Sequence, residues 1–280
     1  MPRGRDGGSG RGRSLRAVPS SLLRIALALV VLWLLVRAGR VAWSRRDLAR
    51  DVWRSIRPRH VLGSLGLLVV VIGVAVTAAA AVPLLGRGVG DLFATQGNAV
   101  FAPVDVAADL TAVGTTAGVG VGDLVFLGVV TLFLGLLATL LPWFAFVEEE
   151  VFRAGAESWS LSRRVAAALV FGAAHLIMLV PVSAALGISV AGFVYGEVYR
   201  RGVARRDGAV PPSVRSAFRP TRRSQAAVLA TVPTHDPLGA AVHVRRQVAG
   251  LHASTVWHAT FNTTVVVLVW LSFALDVLLG

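Results

Sequence analysis

Residues 124–147 read LVFLGVVTLFLGLLATLLPWFAFV, and residues 148–153 continue EEEVFR. The first stretch is apolar over more than the length that a bilayer-crossing helix needs. It ends in three glutamates and an arginine. An unpaired carboxylate within the apolar layer costs about 3 kcal/mol, so such groups pair, line a wet cavity or carry function. Two further patterns repeat this conflict on other apolar segments: Phe171-x-x-x-His175 and His258-x-x-x-Asn262.

The rest of the chain supports a membrane reading. It has 280 residues, is 55% hydrophobic and has a mean hydropathy of +0.70. That is too apolar for a soluble domain. With no cysteine, disulfides and thiolate metal sites are excluded. The net charge is +13 and every basic residue is arginine. The arginines cluster between apolar spans, the pattern of cytoplasmic loops rather than of a nucleic-acid-binding face, so no nucleic-acid partner is expected. Anionic lipids at these basic loops are expected partners. The composition is that of a prokaryotic multi-pass protein of the cell membrane.

The expected fold class is all-α, a polytopic bundle of five or six transmembrane helices around a polar intramembrane cavity. Residues 1–21 read as a disordered basic tail. Residues 22–123 form an N-terminal membrane region, and 124–280 the core. Residues 22–36 make a weak span, because the uninterrupted run from Ile25 to Val36 rises only about 18 Å against about 30 Å of hydrocarbon. Residues 41–60 read as a basic amphipathic helix on the membrane surface. Clear spans follow at 61–85, 124–147 (broken late by Pro142), 165–182, 183–199 and 254–279. Residues 86–123 read as an external loop nearly free of arginine. Residues 201–247, with their prolines and arginines, read as an inserted cytoplasmic loop that is dispensable for cleavage. No internal repeat is visible.

On a helix, residues four apart share a face. Glu149 is therefore placed to pair with Arg153, leaving Glu148 free as a general base. The competing reading is an acidic helix end at the membrane surface. His175, amid Ala173, Ala174, Leu176 and Ile177, is either a structural hydrogen bonder or part of a site walled by Phe171. His258 and Asn262 form a donor pair able to hold an oxyanion, or else an interhelical polar clamp. His252 lies near that segment but off its spacing. His60, His235 and His243 read as surface residues.

Taken in order, Glu148-Glu149-x-x-x-Arg153, Phe171-x-x-x-His175 and His258-x-x-x-Asn262 resemble the motifs of the CPBP family, the CAAX prenyl proteases and bacteriocin-processing or self-immunity proteins. The resemblance covers roughly residues 124–200 and 250–279. Phe193-Val194-Tyr195-Gly196-Glu197-Val198-Tyr199-Arg200 is similar to the stretch that precedes the family's last motif, although residues 201–250 intervene here. The resemblance implies an intramembrane endopeptidase acting on a membrane-embedded or lipidated protein or peptide. Glu148 would be the general base, His175 would help hold the water, and His258 with Asn262 would form the oxyanion hole. Glu149 and Arg153 would set geometry and charge. A water held by protein groups without a cofactor is expected. Zinc on Glu148, His175 and His258 is the alternative, although no His-Glu-x-x-His motif is present. A catalytically silent immunity or scaffold protein and a transporter or proton relay remain as competing functions. The missing repeats disfavour the transporter.

Overall fold

The computed structural model describes residues 20–88, 98–111, 120–205, 210–232 and 236–279. The expected disordered tail lies outside these residues. The chain is a polytopic, all-α bundle. Its helices are α1 (Ser20–Ser44), α2 (Arg46–Ser55), α3 (Pro58–Ala81), α4 (Ala102–Thr111), α5 (Val121–Arg153), α6 (Leu161–Ala174), α7 (Val182–Ala204), α8 (Pro212–Ala217), α9 (Arg222–Thr231) and α10 (Pro237–Leu279). Among the described residues, six helical segments are long and apolar enough to cross a membrane: α1, α3, α5, α6 with the turn that follows it, α7 and α10.

These helices leave large apolar side chains on their outer faces, among them Trp33, Leu62, Val69, Val76, Leu132 and Leu268. Exposed apolar faces of this extent mark contact with lipid or protein. Inside, α10 packs most extensively against α7 and α5, and α7 also holds α6 and α3. Helices in an apolar solvent gain little from hiding apolar surface, so they associate through close backbone approach. Gly172 provides this on α6: a Cβ there would fall on the Ala185 carbonyl and Ser189 hydroxyl of α7. Gly202 of α7 and Gly250 of α10 meet in the same way.

Several expected boundaries move. The weak first segment is a helix of 25 residues. It continues through Arg37 and Arg40 to Ser44, because helical hydrogen bonding does not stop where apolar sequence does. Leu35 and Ala42 of α1 join a buried cluster with Val104 of α4 and Val130 and Leu134 of α5. Among the described residues α1 is thus one of six helical segments long and apolar enough to span. Pro142 does not break α5, which runs 33 residues through it. A proline inside a membrane helix removes one donor, and neighbouring groups can make good the loss. Residues 86–123 are not loop throughout, since α4 packs against α1 and α5. The 165–182 span lies four residues earlier than expected, at Leu161–Met178. Helix α6 ends at Ala174, a 3₁₀ turn follows at His175–Met178, and Leu179 adopts a left-handed conformation (φ 63°) before Pro181 starts α7.

The amphipathic reading of residues 41–60 fits α2, which buries Leu48 and Val52. The reading of 201–247 as a free loop does not fit. Val210, Val214, Ala217 and Phe218 are buried in one cluster with Leu48 of α2, Phe146 of α5 and Tyr199 of α7. Residues 237–247 are already the first turns of α10.

Three of the histidines read as surface residues need separate accounts. His60 is buried. Its Nδ1 accepts from the Arg57 backbone N–H at 3.1 Å, capping the start of α3, and its ring lies against Trp257 at 5.4 Å. His243 is half-buried and meets Glu157 at 2.9 Å. His235 lies outside the described residues.

Candidate functional site

The last two turns of α5 carry Glu148, Glu149 and Arg153 into the bundle. The 3.6-residue period sets Glu149 and Arg153 on the inward face and rotates Glu148 to its edge. Glu149 is fully buried and Arg153 nearly so, and Arg153 Nη1 lies 3.4 Å from Glu149 Oε1. Arg153 Nη2 also donates to the Gly192 carbonyl of α7 at 3.1 Å. Its guanidinium carbon stands 4.1 Å from the centre of the Phe171 ring. Gly192 allows this approach, since a Cβ there would press on the Phe171 ring.

His258 of α10 stands between the two glutamates. It is 2% exposed. Its Nδ1 is 2.9 Å from Glu149 Oε1, and its Nε2 is 3.6 Å from Glu148 Oε2. A carboxylate only accepts, so Nδ1 carries the hydrogen in the first contact. The imidazole is thereby fixed in orientation, with Nε2 turned to Glu148. Tyr195 of α7 stacks on the His258 ring at 4.5 Å with planes 20° apart. The Glu148 side chain keeps about 29% of its surface exposed, yet its Oε2 is buried and has no hydrogen-bond partner among the described residues. Beside Arg153 and Gly192 there is a hollow of about 20 Å³, also lined by Phe152 and Glu197. That is room for about one water.

His175 enters from the end of α6. Its Nδ1 is 2.8 Å from the Phe171 carbonyl, which can only accept, so Nδ1 carries the hydrogen and Nε2 is free. The Phe171 ring touches both histidine rings, His175 at 4.8 Å and His258 at 5.7 Å. His175 therefore borders the cluster across one aromatic ring. Asn262 lies one turn beyond His258 on α10, half-buried, with no hydrogen bond to the cluster among the described residues.

The structure thus brings Glu148, Glu149, Arg153 and His258 into direct reach of one another, places His175 next to them through Phe171, and leaves Asn262 one turn away. Among the described residues, no group of three or more His, Asp or Glu side chains could hold a metal ion.

Sequence reasoning missed the role of Tyr195 as the stacking partner of His258, and gave Phe171 too small a part. The signal was Tyr195 and Tyr199 four residues apart on one face of α7. A second polar cluster was also missed. Glu157 accepts from Tyr199 Oη at 2.7 Å and from Gln247 Nε2 at 2.6 Å, and meets His243. Tyr199 Oη also accepts from the Gly155 N–H at 3.1 Å. Each of these residues has at least one partner there, as a structural lock requires, although Gln247 Oε1 has none among the described residues.

No protein-family model matches the chain, and no curated protein or solved structure matches it significantly.

Proposed function

We propose that this protein is an intramembrane endopeptidase of the CPBP kind, working in a prokaryotic cell membrane. It would cleave a peptide bond of a membrane-associated protein with a water activated by Glu148. The observation that carries the reading is the setting of His258 between Glu148 at 3.6 Å and Glu149 at 2.9 Å.

Glu148 takes a proton from the attacking water as the oxygen bonds to the scissile carbonyl carbon. Glu148 stands at the partly exposed edge of the cluster, where a water can reach it. The same proton then passes to the leaving amine as the C–N bond breaks. Protonated His258 donates from Nε2 to the developing oxyanion, with Glu149 holding the ring in place. Asn262, one turn on, supplies a second donor when its side chain turns inward. Arg153 balances the charge of Glu149. His175, whose Nδ1 is held by the Phe171 carbonyl, would help hold the water through Nε2.

The buried Glu149–Arg153–His258 group favours a second reading, a purely structural clamp in a silent scaffold. A clamp accounts for these three buried residues but not for Glu148, whose side chain is about 29% exposed at the edge of the cluster and 3.6 Å from His258 Nε2. The experiment that separates the two is a comparison of membrane-protein termini in cells carrying wild-type or Glu148→Ala protein. The protease reading requires defined fragments that vanish in the variant. Identical termini in both, with equal protein levels, would leave only the scaffold.

A further inference from the structure

A second recess lies where α2 runs into α3, against the ends of α7 and the middle of α10. Its volume is about 690 Å³, within the range of small-molecule sites. Its wall includes five arginines: Arg54, Arg57 and Arg59 from the α2–α3 junction, and Arg201 and Arg205 from the end of α7. Among the described residues no Asp or Glu lines it. The contrast with other arginines is instructive. Arg50 pairs with Asp47, Arg153 with Glu149, and both Arg164 and Arg200 with Glu197. Among the described residues none of the five has an acidic partner. Five like charges around one recess repel each other, and an anion in the recess would relieve that repulsion.

His252 provides an independent pointer. Ser55 Oγ donates its hydrogen to the Asp51 carbonyl at 2.7 Å. It can then only accept from His252 Nε2, 3.2 Å away, so Nε2 carries the ring hydrogen. The other nitrogen, Nδ1, is buried and has no partner among the described residues. His252 also lines the recess. Asp51 interacts with His252 but does not line the recess, and its carboxylate accepts from Ser213. Trp257, packed on His60, forms an apolar wall.

We propose that this recess binds a ligand bearing at least two phosphate charges, gripped by Arg54, Arg57, Arg59, Arg201 and Arg205, with His252 beneath them. Planar guanidiniums bind phosphate oxygens two at a time, which suits this composition. The phosphate can come from an anionic lipid headgroup or from a soluble diphosphate, since basic pockets between membrane helices take lipid headgroups. The inference does not rest on the protease reading.

The test uses the full chain in phosphatidylcholine nanodiscs, with cardiolipin added in one arm and inorganic pyrophosphate in another. Saturable binding is expected in at least one arm, weakened about 30-fold by Arg57→Gln/Arg201→Gln. Cardiolipin binding alone assigns the site to lipid. Pyrophosphate binding alone assigns it to a soluble ligand, and mutual competition shows one phosphate site open to both. Arg163→Gln, outside the recess, should change nothing. If the double variant fails to insert, Arg205→Gln alone should weaken binding severalfold. Absence of saturable binding in both arms, or binding that the recess variants leave unchanged, overturns the proposal.

Discussion

At the residue scale, Glu148 and Glu149 are neighbours in sequence with opposite situations. Glu149 shares one buried oxygen between Arg153 and His258, whereas Glu148 stands partly open to the outside. Substitutions should separate them. Glu148→Gln keeps the size and most hydrogen bonding but cannot take a proton. Turnover of a cleaved substrate should fall about 100- to 10,000-fold, with thermal unfolding in detergent nearly unchanged. Arg153→Ala leaves Glu149 charged and buried with only His258 as a partner. Loss of one partner of a buried pair costs about 3–5 kcal/mol, so this variant should show a sharply lower unfolding temperature or yield. Tyr199→Phe tests the second polar cluster. It removes the hydroxyl that bridges Glu157 and the Gly155 N–H, at a cost of about 1–3 kcal/mol, without touching His258. The unfolding temperature should drop while the rate per folded molecule stays the same.

At the scale of elements, close helix approach determines where the site residues stand. Gly172 lets α6 lie against α7, and α6 carries Phe171 and His175. Gly172→Ala would press on the Ala185 backbone, which cannot rotate away. Overpacking of this kind costs about 1–3 kcal/mol and should displace Phe171, lowering both unfolding temperature and activity. Gly128→Ala on α5 meets open space and should be tolerated. Melting curves of the two variants make the comparison.

Much at this scale was legible in the sequence. The apolar runs locate the helices, and four-residue spacing pairs Glu149 with Arg153 and joins Phe171 to His175. What escaped has physical causes. Helix ends overrun apolar runs because a backbone in lipid keeps its hydrogen bonds whatever the side chain, so α1 passes Arg37 and α5 passes Pro142. The 3₁₀ turn that follows α6 is ended by Leu179 in a left-handed conformation, which no glycine or asparagine announces. The stacking of Tyr195 on His258 depends on how α7 rotates against α10, a relation between two elements that neither segment carries by itself.

At the scale of the molecule, the arginine-rich stretch after α7 is the main revision. Its charge dominates its composition and conceals Val210, Val214, Ala217 and Phe218, which share a buried cluster with α2, α5 and α7. His243 and Gln247 then fasten the start of α10 to Glu157. Replacing residues 201–247 with a short Gly/Ser linker should therefore yield aggregated protein rather than a trimmed, folded chain. Size-exclusion chromatography in detergent reads the outcome directly; a monodisperse, active product would restore the reading of this stretch as dispensable.

Helix α10 runs unbroken for 43 residues. Gln247 at the Glu157 lock, His252 and Trp257 at the arginine recess, and His258 between the glutamates all ride on this one shaft. Nothing along it can absorb a twist, so their angular phase is shared. A single alanine inserted after Ala253 would turn the two ends by about 100° relative to each other. Either the lock would stay engaged and His258 would swing away from Glu149, or the reverse. The shaft makes the phase between its two ends a property that selection must keep, quite apart from the identity of any residue on it.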